Sequence, residues 1–184
     1  MGVGNQVMDS MKKLAEHRFG HAVVAASGAL SATARLEYPT GGDKVACRQF
    51  LEDNLPIICK IGWVAFGDSQ PKNFRYRRLD LQAPGISLRT MPEMLHDVVR
   101  CTAVHEAGLP KDLQFTERPA TGLDGALVLP IDVIYGLLLA VVGSAKNAGQ
   151  HADGDPVFSF AGKSIQVNEL WGEREKIVAF IGGA

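Results

Sequence analysis

The stretch Ala126-Leu-Val-Leu-Pro-Ile-Asp-Val-Ile-Tyr-Gly-Leu-Leu-Leu-Ala-Val-Val-Gly-Ser-Ala145 decides how this chain is read. Its apolar residues do not keep to one stripe. Ile131, Val133, Ile134, Leu137, Leu138, Leu139, Val141 and Val142 cover nearly every side of a helix, and a helix that is apolar all round belongs in the middle of a fold. A membrane span would need about 20 apolar residues, and Pro130, Asp132, Tyr135 and Gly136 shorten the apolar part below that. Pro130 suits a first helical turn, Asp132 is favourable near the positive end of the helix dipole, and Lys146 with Gly149 supplies an ending. The expectation is a buried central helix over about 130–146.

The flanks read as further helices. Met8 to about Tyr38 is rich in Ala, Leu and Val at helical spacing, with Gly20, Ser27 and Gly28 allowing close packing or a kink. The turn Pro39-Thr-Gly-Gly-Asp43 stops it. Asp43 is placed to cap a second helix through Leu55, with Val45, Phe50 and Leu51 as its apolar face, and Pro56 to Phe66 reads as a third. After a loop over 67–73, Phe74 to Leu81 alternates as a short strand does. Thr90-Met-Pro-Glu93 has the spacing of a capping box and starts a helix with Leu95, Val98, Val99 and Thr102 on its apolar face, which Gly108-Leu-Pro110 ends. Val157 to Phe160 and Ser164 to Val167, joined around Gly162-Lys163, read as a hairpin. Asn168 then caps a last helix carrying Leu170, Trp171, Ile177, Val178 and Phe180. The sum is a mainly α fold, a helical bundle around the central apolar helix, with a short strand near 74–81 and a small β-hairpin near 157–167.

The 184 residues, 46% hydrophobic and 21% charged, suffice for one well-buried core, so a single domain over 1–184 is expected. A net charge of −1 excludes a protein that coats nucleic acid through a general basic excess, while leaving room for a local basic site. Cys47, Cys59 and Cys101 are odd in number and form no close pair, which points to reduced thiols and a cytoplasmic setting. The opening Met-Gly-Val-Gly-Asn-Gln-Val has no signal-type apolar run, and Gln6 stands where an acylation motif wants Ser or Thr. Neither export nor a membrane anchor is expected.

The segment that speaks of chemistry is Val98-Val-Arg-Cys-Thr-Ala-Val-His-Glu106. Arg100 and His105 stand five positions apart, about 140° around a helix axis. They meet in one cleft only through the length of the arginine and the fraying of the helix end that carries the histidine. The plain structural reading has Arg100 pairing carboxylates of a neighbouring helix and His105 meeting the carbonyls that end its own.

The run Arg100-Cys-Thr-Ala-Val-His105 in a helical chain resembles the HEPN superfamily, whose motif is an arginine, four to six residues and a histidine at a helix end. The resemblance implies a metal-independent endoribonuclease or RNA-binding protein of defence or toxin type, assembled as a homodimer with both motifs facing one cleft and no cofactor. In that reading His105 acts on the ribose 2′-hydroxyl and Arg100 stabilises charge growing on the phosphate. Cys101 departs from the family, whose RNA-cutting members usually carry a polar residue directly after the arginine.

Two other constellations stand beside it. Lys72, Arg75, Arg77 and Arg78, interleaved with Phe74 and Tyr76, fit a phosphate backbone with stacked bases, or a charged edge strand. His17 and His21 lie one helical turn apart, as paired metal-binding histidines do, though no distant third ligand is evident and the default is a polar helix face. Two further readings therefore accompany the RNA one. One is a non-catalytic helical interaction module, homodimeric or part of a toxin and antitoxin pair. The other is a small-molecule or metal-binding protein.

Overall fold

The computed structural model describes residues 2–63, 76–77, 88–97, 113–117 and 127–183. Helix α1 (Val3–Ala15) buries Val3, Val7, Ser10 and Leu14, a stripe at helical spacing. Helix α2 (Phe19–Glu37) turns back along it, and Ser10 Oγ donates to the Ala22 carbonyl at 2.8 Å across the pair. The long helix expected from Met8 to Tyr38 is thus two. The break falls at Glu16–Arg18, upstream of Gly20, where His17 adopts a left-handed φ of 55°. The buried face of α2 includes Ala22, Ala26, Ala29 and Ala34, small side chains that admit close neighbours.

Helix α3 (Gly42–Gly62) unites the two helices expected on either side of Pro56. Proline returns no N–H to the Glu52 carbonyl four residues earlier, and a side chain from the C-terminal part of the chain binds the next residues of the same turn. Arg174 Nη2 donates to the Asp53 carbonyl at 2.7 Å, and its Nη1 donates to Asn54 Oδ1. Asp43 does not cap α3. It lies in the first turn and accepts from Ser31 Oγ of α2 at 3.1 Å. Val45 is exposed, and Ala46, Cys47, Phe50, Leu51, Ile57 and Ile58 carry the buried face.

The strand expected over 74–81 is described at Tyr76–Arg77 (β1), antiparallel to Leu88–Arg89 (β2). Thr90 and Glu93 form the expected capping box, with Thr90 N donating to Glu93 Oε2 at 3.0 Å. Helix α4 (Met91–Met94) begins there and widens through Asp97. The remainder of that expected helix lies outside the described residues.

Leu113–Thr116 (β3) runs parallel to Leu127–Pro130 (β4). Pro130 therefore closes a strand and does not open a helix. The central helix α5 spans Asp132–Gly143, shorter at both ends than the expected range. Its residues Val133, Ile134 and Gly136 to Gly143 are all buried, and α3 and α2 pack most extensively against it. Gly136 sits against the Ile58 backbone, where a Cβ would lie 2.9 Å from Cα. The end of α5 is held by Asn147, whose Nδ2 donates to the Val141 carbonyl and to Thr33 Oγ1.

The hairpin pairs Val157–Phe160 (β5) with Lys163–Gln166 (β6) through Ala161 and Gly162, both at positive φ, one residue earlier than expected. Asn168 caps no helix. It donates to the Ala152 carbonyl and accepts from Ala152 N and the Trp171 indole, tying 151–152 to the turn before helix α6 (Arg174–Gly182). The fold is mainly helical, with small strand pairs. No described helix is long and apolar enough to cross a membrane.

Candidate functional site

Arg100 and His105 lie outside the described residues, as do Lys72, Arg75 and Arg78. Arg77 is placed by its backbone in β1, opposite Leu88. The turn leading towards the Arg100 motif is described, and it carries a polar cluster that sequence reasoning missed. His96 is 1% exposed and its Nδ1 lies 2.7 Å from Asp97 Oδ1. Arg48 reaches across from α3, with Nη1 3.7 Å from Glu93 Oε1 and Nη2 3.6 Å from Asp97 Oδ1. Met91, Met94 and Leu95 are buried around it. The two carboxylates outweigh the single arginine charge, so the three leave no positive surplus to attract an anion. The imidazole is sealed from solvent, so the cluster anchors this turn against α3. A histidine next to an aspartate inside an apolar run was its only signal in the sequence. Its arginine, Arg48, comes from a helix 48 positions before His96.

His17 and His21 do not share a helical face. His17 occupies the left-handed turn before α2, with Nδ1 2.9 Å from Glu117 Oε1, whereas His21 lies within α2. Among the described residues no three His, Cys, Asp or Glu side chains gather as a metal site requires. Cys47 and Cys59 are free thiols in the core, and burial pushes the Cys59 thiol up to about 11. Such a thiol stays protonated and unreactive near neutral pH.

A concave site among the described residues lies elsewhere, between the start of α5 and the hairpin. It is a cleft of about 440 Å³, lined by Ile61, Asp132, Tyr135 and the strand from Val157 to Ala161. β4 delivers the chain into α5 so that Asp132 and Tyr135, one turn apart, face the opening. The Tyr135 ring meets Phe158 at 5.8 Å, Phe158 stacks with Phe160 at 6.4 Å, and Phe180 of α6 backs Phe158 at 6.0 Å. Burial raises the Asp132 carboxyl above the ordinary carboxylate range, so desolvation outweighs the help an anion receives in a first helical turn. The Tyr135 phenol is raised as well, by burial first and then by the Asp132 charge. An exposed, partly desolvated carboxylate at the mouth of an aromatic-lined cleft suits an acid, a base or a counter-ion.

Comparison with curated proteins and with solved structures finds no match. The model of one family, Rv1289, matches residues 2–184, and over that span the chain belongs to the Rv1289 family.

Proposed function

We propose that this protein binds RNA and cleaves it without a metal ion, working in the cytoplasm as a homodimer with Arg100 and His105 as its reacting pair. The observation that carries the reading is the start of the motif-bearing segment. A capping box at Thr90 opens a helix whose next turn, at His96 and Asp97, is clamped to α3 by Arg48. Arg100 follows three positions after that clamp, in a mainly helical fold of the kind the HEPN resemblance implies.

The chemistry suits the two side chains. His105 takes the proton of a ribose 2′-hydroxyl, the freed oxygen bonds to the adjacent phosphorus to give a 2′,3′-cyclic phosphate, and the P–O5′ bond breaks as the departing 5′-oxygen takes a proton from water. Arg100 holds two phosphate oxygens as charge accumulates on them. Lys72, Arg75, Arg77 and Arg78 guide the strand through its phosphates. The buried free thiols Cys47 and Cys59 support the cytoplasmic assignment.

The test is cleavage of a mixed labelled RNA pool with chelator present, comparing the native protein with folded Arg100→Ala and His105→Ala variants. Activity that both substitutions abolish supports the proposal. Cleavage no greater than that of the variants, across several RNAs, overturns it and leaves the helical interaction module.

A further inference from the structure

The cleft between α5 and the hairpin is separate from Arg100 and His105 in sequence and does not depend on the RNA reading. Three of its properties point to one class of occupant. The first is an uncompensated charge. Asp132 stands exposed at the mouth of the cleft, with no ion pair among the described residues, and partial burial by its surroundings raises its carboxyl. The second is the wall. Tyr135, Phe158 and Phe160 bring aromatic surface to the same opening, and ring faces attract cations, more strongly when both are desolvated. The third is size, since about 440 Å³ lies within the range of about 300–1,000 Å³ found for small-molecule sites.

Other occupants fit less well. An anion would be repelled by Asp132. A metal ion would find one carboxylate and, among the described lining residues, no histidine, cysteine or second acid. A wholly apolar molecule would leave the carboxylate further desolvated and unpaired.

We infer that this cleft binds a small organic monocation, an ammonium group carrying an apolar or aromatic body, with Asp132 as the counter-ion and Tyr135 and the β5 phenylalanines as its walls. The ammonium sits at the mouth beside Asp132, where it keeps part of its hydration. The body of the ligand lies along the hairpin strand.

Benzylammonium and benzyl alcohol, near-equal in shape and different in charge, test this directly by titration calorimetry against the full chain. The expected result is at least tenfold tighter binding of benzylammonium by the native protein. Asp132→Asn should erase that preference, and Asp153→Asn, an exposed acid outside the cleft lining, should keep it. Equal affinity for the two probes, no binding of either, or a preference that survives Asp132→Asn overturns the inference. The comparison of probes on the native protein alone decides the matter if Asp132→Asn fails to fold.

Discussion

Replacing Gly136 by alanine sets two known effects against each other at the centre of the fold. Helix propensity alone favours alanine in a helix interior by about 1 kcal/mol. The added methyl, however, would lie 2.9 Å from Ile58 Cα and 3.0 Å from Ile58 O, where ordinary contacts fall at about 3.5–4.0 Å. Both atoms are backbone, so no rotamer change relieves the overlap and α3 must move away from α5. Overpacking of this kind costs about 1–3 kcal/mol, and the rigid neighbour places it in the upper half of that range. The net expectation is a loss of about 1–2 kcal/mol, which in a chain of this length lowers Tm by about 2–8 °C. Gly28→Ala is the control, because its methyl meets only the Gln6 side chain, with Nε2 at 2.7 Å. That flexible amide can swing aside, propensity should win, and Tm should hold or rise. Thermal unfolding followed by circular dichroism reads both. A Gly136→Ala protein as stable as the native one, or an equal drop in the two variants, would refute the close α3–α5 crossing.

Two further outcomes follow from named contacts. Arg174→Met keeps the aliphatic stem but removes the donors to the Asp53 carbonyl and to the Oδ1 of buried Asn54, so urea unfolding should show a loss of about 1–3 kcal/mol. An unchanged midpoint would mean that Arg174 does not hold α3 to α6. Because the Asp132 carboxyl is raised in the folded state, its protonated form stabilises the fold, and that contribution is lost as pH rises through the folded-state value. Asp132→Asn should therefore exceed the native protein in Tm at pH 7. The advantage should vanish below about pH 4, where the unfolded carboxyl is protonated too. An advantage independent of pH would place the effect in packing and not in charge.

The spacing of the proposed reacting pair is a property of the sequence, and packing around it is not. Arg100 and His105 are found by spacing, whereas the anchor that precedes them in the sequence joins Glu93 and Asp97 to Arg48 of a different helix. The cleft was equally hidden. Asp132 was read only as a favourable first-turn acid, and the hairpin segment that lines the same cleft lies some 25 positions later in the chain. Pairing across such distances leaves no local periodicity to detect.

The sequence by itself determined the helical class and the identity of the buried centre, because hydrophobic coverage around a helix axis is a local property of consecutive residues. It determined the capping box at Thr90 and the existence of the hairpin for the same reason. Tertiary structure decided where that local pattern was ambiguous. Leu127–Pro130 belongs to a strand because β3 offers it hydrogen bonds, although the apolar run continues unbroken into α5. Helix α3 passes through Pro56 because the core buries Ile57 and Ile58 beyond it. The chain instead breaks at His17, where α1 must fold back for its stripe to be buried on α2. In each case the local preference amounts to a few kcal/mol at most, and burial against a distant element outweighs it.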